Sequence, residues 1–87
     1  MNIEYHKTFV KNFKKRFENS QKIKKQYNER LRLFINNPKH PLLQDHLLKG
    51  EKLTLRAFSI TGDVRVVYTQ IGRRVIFLDI GTHNQVY

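Results

Sequence analysis

Four histidines, His6, His40, His46 and His83, are the side chains of this 87-residue chain best suited to moving protons near neutral pH. Their unperturbed pKa of about 6.5 leaves both protonation states populated there. Two stand in suggestive settings. His83 lies in Gly81-Thr82-His83-Asn84-Gln85-Val86-Tyr87, directly after an apolar run, and Tyr87 can stack on an unpaired base or hydrogen-bond a phosphate. His46 follows Asp45, and Lys49 stands three residues on, so a base, an orienting carboxylate and a phosphate cation can share one loop. Arg65 interrupts Val64-Arg65-Val66-Val67-Tyr68, where a charge requires an open face or a partner. Its planar fork suits bidentate contact with phosphate. Arg56 is a second cation of this kind, and Lys49 and Lys52 complete the expected substrate-binding charges. Such a set fits cleavage of RNA without a metal or other cofactor. A base takes the 2′-hydroxyl proton, cations stabilise the charged phosphorane, and an acid protonates the leaving 5′-oxygen. Each piece also has a plainer reading as a turn histidine, a tyrosine covering a sheet edge, a polar loop or an exposed strand arginine. Residue types alone leave both open.

Metal binding is not expected, because the histidines lack the close helical spacing of a zinc motif. Seventeen Lys and Arg against seven Asp and Glu give a net charge of +10, which points to a polyanion or an acidic partner. The absence of cysteine excludes disulfides and thiolate metal sites and suits a reducing compartment. With no apolar signal segment and no run near the roughly 18 apolar residues of a membrane span, a cytoplasmic protein is expected.

The length suffices for one domain, residues 1–87, and one core. Asn2 to Tyr5 reads as a first strand. Phe9, Val10, Phe13 and Phe17 recur at helical steps behind Thr8 as N-cap. A second helix begins after Ser20, aligns Ile23, Tyr27, Leu31 and Phe34 on one face, and stops near Asn36-Asn37-Pro38. This hairpin holds nine basic and two acidic residues between Thr8 and Asn36, a net of +7, which is either a solvated face or a surface that tracks phosphates. Asn37 to His46 reads as an irregular connector. Lys52 to Ile60, Val64 to Thr69 and Arg74 to Ile80 read as strands, separated by Thr61-Gly62-Asp63 and Gln70-Ile71-Gly72. The expected fold is α+β in the order β-α-α-β-β-β. The helical hairpin packs on one face of a small, mostly antiparallel sheet, and the other face presents Arg56, Arg65 and the C-terminal residues.

Three segments, Asp45-His46-x-Leu48-Lys49-Gly50, Arg56-x-Phe58-x-Ile60-x-Gly62-Asp63-x-Arg65-Val66-Val67-Tyr68 and Asp79-Ile80-Gly81-Thr82-His83-x-x-Val86-Tyr87, resemble the RelE superfamily of bacterial toxins, most closely its YafQ branch. The resemblance implies a RelE-like fold and a toxin that cleaves mRNA in the A site of the 70S ribosome. It also implies a co-expressed acidic antitoxin, with the toxin a monomer when free and part of a hetero-oligomer when inhibited. By position His46, Asp63, His83 and Tyr87 are similar to the family's loop histidine, turn aspartate, C-terminal histidine and terminal aromatic, and Arg65 to an arginine that serves the phosphate. YafQ-type toxins often carry a histidine at the Ser59 position, a tryptophan at Val64 and an arginine at Asp79, and all three are replaced here. Two other classes stay open on the same sequence: a ParE-like inhibitor of DNA gyrase, and a non-enzymatic RNA- or ribosome-binding module.

Overall fold

A computed structural model describes residues 1–49 and 54–87. The expected strand start at Lys52, and Lys52 and Gly50 themselves, lie outside the described residues. Asn2–Tyr5 forms β1, Lys7–Phe17 forms α1 and Gln21–Asn36 forms α2. The cap of α1 is His6 rather than Thr8: its backbone is extended, and its Nδ1 accepts from the Thr8 N–H at 3.1 Å. Ser20 caps α2 as its position predicts, accepting from the Ile23 N–H. Phe9 and Phe17 are buried on the inward stripe of α1, whereas Val10 is 55% exposed, one residue further round the helix.

The connector is more ordered than its composition suggests. Pro41–Leu43 forms one 3₁₀ turn, with His40 Nδ1 accepting from the Leu42 N–H at 3.1 Å, and His46–Leu47 forms a short strand, β2. Then follow β3 (Arg56–Ser59), β4 (Val64–Ile71), β5 (Arg74–Thr82) and one helical turn, α3 (His83–Val86). Among the described residues the strands form one five-stranded sheet in the order β1-β5-β4-β3-β2. β1 is parallel to β5 and the other pairs are antiparallel, so the expected α+β architecture is present, with β2 and α3 added to it.

The main core lies between the helical hairpin and one sheet face. Phe34 stacks on Phe58 with centroids 4.5 Å apart, and Val66, Val75, Phe77 and Ile80 are fully buried around them. Burying a side chain of this size contributes about 1.5–3 kcal/mol. The second face is not bare: Leu48, Ala57, Val67 and Val86 make a smaller apolar cluster there. Val86 therefore fastens α3 against the sheet face opposite the hairpin.

Candidate functional site

Strand parity sorts the cations. Arg56 pairs with Tyr68, and Ser59 pairs with Arg65, so Arg56 and Arg65 leave the β3–β4 ribbon on opposite faces. The expectation that both share the open face is therefore corrected. The step of three positions from Arg56 to Ser59 imposes the opposite parity. Arg56 stands on the hairpin side, where its Nε donates to Asp45 Oδ1 at 2.7 Å and the Tyr68 hydroxyl donates to Asp45 Oδ2. Asp45 is thus committed to Arg56 and Tyr68 rather than to orienting His46. The Asp45 hydrogen bond raises the Arg56 pKa, and burial followed by that same carboxylate pushes the Tyr68 phenol well above its ordinary value.

On the other face, Arg65 Nη1 donates to Ser59 Oγ at 2.6 Å, and the Ser59 hydroxyl donates to Gln44 Oε1 at 3.2 Å. Nη2 reaches the Gly62 carbonyl only at 3.5 Å, and the buried Nε has no hydrogen-bond partner among the described residues. Burying such a donor without a partner is costly. No described carboxylate pairs with Arg65, whereas Arg56 and Arg74 are paired with Asp45 and Glu4.

His46 sits beside this chain of hydrogen bonds. Its Nδ1 lies 3.0 Å from the Gln44 carbonyl, which can only accept, so Nδ1 donates to it, and in the neutral ring the lone pair is on Nε2. Gln44 adopts a left-handed backbone with φ of 48°, and that bend brings its carbonyl under the His46 ring and its side chain over Ser59. Tyr87 stands between the two histidines, edge-on to His83 at 4.4 Å and to His46 at 6.3 Å. Burial raises the Tyr87 phenol, and the Arg65 charge opposes that shift. The turn aspartate closes the wall: Asp63 Oδ1 accepts from the His83 N–H at 3.4 Å, tethering the β3–β4 turn to α3.

The structure therefore brings His46, Asp63, Arg65, His83 and Tyr87 to one sheet face and places Arg56 on the other. Lys49 is exposed two residues beyond β2. His6 and His40 are spent on local caps. Val64 is buried in the main core and presents nothing to this face. Asp79 does not orient His83. Its Oδ1 accepts from Asn12 Nδ2 at 2.8 Å, from Arg16 Nη1 at 3.2 Å and from the Ile80 N–H at 2.8 Å. Gln44 was not legible as a site residue, because nothing in its sequence context signals a left-handed bend. No group of three or more His, Cys, Asp or Glu placed to hold a metal ion occurs among the described residues. None of the described helices is long and apolar enough to cross a membrane.

Known proteins share this fold. The family described as "Bacterial toxin of type II toxin-antitoxin system, YafQ" matches residues 1–87. A copper-bound mutant toxin from Helicobacter pylori is 30% identical, superposes with a TM-score of 0.80, and aligns over 100% of this chain and 99% of its own. YafQ from E. coli is 23% identical with a TM-score of 0.83, covering 99% of this chain and 97% of that one. The toxin in the E. coli DinJ–YafQ complex is likewise 23% identical, with a TM-score of 0.81 and the same coverage of 99% and 97%. No curated protein matches in sequence.

Proposed function

The chain belongs to the YafQ family of toxins of bacterial type II toxin–antitoxin systems, and on that premise we propose that it is an endoribonuclease that cuts mRNA on the ribosome. One observation carries the reading. Arg65, with a buried unpartnered Nε and no described carboxylate, shares a sheet face with two histidines that Tyr87 links. A guanidinium left in that condition suits an anionic ligand, and the nearby imidazoles suit proton transfer to and from its ester oxygens.

In the proposed reaction His46 Nε2 takes the 2′-hydroxyl proton as the 2′-oxygen bonds to phosphorus. Arg65 stabilises the charge that develops on the phosphorane, and His83 gives a proton to the 5′-oxygen as the P–O5′ bond breaks. The products are a 2′,3′-cyclic phosphate and a 5′-hydroxyl. Tyr87, packed edge-on against both imidazoles, orients them and offers a face for a base. Asp63 holds α3, and with it His83, at the required height. These steps call only on side chains, and Lys49 is available to the flanking phosphate. The cytoplasm is the compartment where such a substrate is met.

The E. coli homologue is found in complex with DinJ. We assign this chain an acidic antitoxin of the same class, since the net charge of +10 favours a partner that neutralises it and blocks the Arg65 face. Induced expression should arrest growth and leave codon-phased mRNA ends on programmed ribosomes. A His83→Ala protein that folds normally and cuts equally well would remove the assigned acid. The pH–rate profile of a His46 variant tests the base. DNA-damage signalling with intact mRNA would replace this reading with the ParE-like one, and salt-sensitive RNA binding without cleavage would replace it with the non-enzymatic one.

A further inference from the structure

β1 covers the outer edge of β5 only from Arg74 to Phe77, although β5 continues to Thr82. Beyond Phe77 it is α1 that serves that edge. Asn12 and Arg16, one helical turn apart, reach Asp79, and Arg16 Nη1 also donates to the Ile80 carbonyl at 2.8 Å. The guanidinium then extends past the edge to the site face. A Cβ built on Gly81 would lie 2.6 Å from Arg16 Nη1, closer than real contacts allow. Gly81 is the direct cross-strand partner of Arg65, so a side chain there would project beside that of Arg65. The glycine leaves room beside Arg65 both for the Arg16 guanidinium from the opposite layer and for Gln85 of α3, whose Oε1 and Cβ would lie 2.7 and 3.0 Å from that Cβ.

The bonds of Arg16 to Asp79 and Ile80 both use Nη1, and among the described residues Nη2 has no hydrogen-bond partner. The side chain retains 22% of its exposure. We propose that Arg16 is a second phosphate-binding residue, standing beside Arg65 over Gly81, with Asp79 as its positioning residue. The proposal deepens the nuclease reading and rests on it: the two guanidinium groups would grip one scissile phosphodiester from adjacent strand positions. Asp79 holds one nitrogen of the fork, and the other edge is left for a non-bridging oxygen. The plain alternative is that Arg16 exists only to neutralise Asp79 and satisfy the Ile80 carbonyl.

The two are separated by the Arg16→Gln, Asp79→Asn double variant, which removes both charges and keeps a hydrogen-bonding pair. Binding of a short single-stranded oligoribonucleotide carrying a 2′-O-methyl block is measured against salt, beside Asp79→Asn alone. The expected result is an affinity about tenfold lower for the double variant. Its plot of log K against log salt should be shallower than the wild-type plot by about 0.7, the loss of one phosphate contact, while Asp79→Asn, which keeps the Arg16 charge but loosens its hold, should weaken binding less than the double variant does. An unchanged slope and affinity in the double variant would overturn the proposal. If that variant does not fold, the guanidinium NMR signals of the wild-type protein decide: movement of the Arg16 Nη2 signals on adding the oligonucleotide supports the contact, and Arg16 signals that stay fixed overturn it. Neither readout uses cleavage. A wild-type protein that binds the oligonucleotide through Arg16 yet leaves mRNA intact on programmed ribosomes sinks the nuclease reading alone.

Discussion

Arg56 and Arg65 are carried by two paired strands, yet they meet opposite fates. Arg56 lies against Asp45, whose carboxylate is buried and also accepts the Tyr68 hydroxyl, so each partner there is satisfied by another fixed side chain. Arg65 meets only a serine hydroxyl and a distant carbonyl, and its Nε is left over. The difference separates an arginine that joins a loop to a sheet from one that waits for an anion. In the first case the counter-charge is built into the fold. In the second no described carboxylate supplies it, and in the proposed reaction the substrate phosphate would.

Replacing Arg65 should give the largest effect, on activity and not on stability. Arg65→Met keeps the packing of the stem and removes the cation, and cleavage should fall about 10²–10³-fold, the scale for losing a preorganised donor to a developing charge. The melting midpoint should stay level or rise, because an unsatisfied buried group is removed. A variant that unfolds, or that cuts at the wild-type rate, breaks the contrast.

Asp45→Ala should do the reverse. It strands Arg56 and the Tyr68 hydroxyl, and a loss of about 2 kcal/mol is expected, discounted because Arg56 is 40% exposed. For a domain of this size that lowers the midpoint by about 10 °C. Cleavage by the fraction still folded should be near normal. A large activity loss at full stability would mean that Asp45 serves the reaction after all.

Much of this contrast was hidden from the sequence for definite reasons. Ser20 as a cap, the Phe34 stripe and the apolar segment from Val75 to Ile80, broken only by Asp79, are local signals, and the helices and strands they predict are present. Face assignment is a different problem, since Arg56 and Arg65 are both single charges in apolar strand sequence and only the registry across the turn sets their parity. The register also shifts between Val67 and Tyr68, which moves Ile80 rather than Asp79 onto the core face. His83 and Tyr87 were legible as a pair, but the helical turn that sets them edge to face is four residues long and below any periodic signal. Arg16 was one of many basic residues in the hairpin. The signals that could have singled it out were its partners: a carboxylate in an apolar strand that needs a counter-charge, and a strand glycine that needs a reason.

The Asp45 side of the contrast can be sharpened by alkali. Burial, and then the Asp45 carboxylate, hold the Tyr68 phenol above its ordinary value, and burial together with Tyr5 does the same for Tyr27. Each folded-state pKa is raised, so each contribution is fully present below the unfolded value near 10 and is lost as pH rises above it. Stability should therefore fall above about pH 10. In Tyr68→Phe that fall should be shallower, with Tyr27 carrying the remainder. Denaturant midpoints measured from pH 9 to 11 check this, and parallel curves for the two proteins would show that the Tyr68 proton is not held by the fold.

The smallest effect belongs to a third arginine, which isolates what burial adds. Arg74 makes a two-pronged pair with Glu4 across β1 and β5, at 2.7 and 3.0 Å, but both side chains are about half exposed. The Arg74 hydrogen bond lowers the Glu4 pKa, so the stabilisation is present above the unfolded value of 4.5 and is lost as pH falls through the folded one. In water and salt such a pair competes with full solvation, and Glu4→Gln should change the midpoint at neutral pH far less than Asp45→Ala does. The residual difference should vanish in molar salt. Parallel β1 docks through backbone pairing and the packing of Ile3, neither of which the substitution touches. If Glu4→Gln cost as much as Asp45→Ala, then a partnered charge alone, and not its removal from solvent, would distinguish Arg56 from Arg65, and the reading of Arg65 as an arginine awaiting its anion would need a carboxylate-free control on the surface to survive.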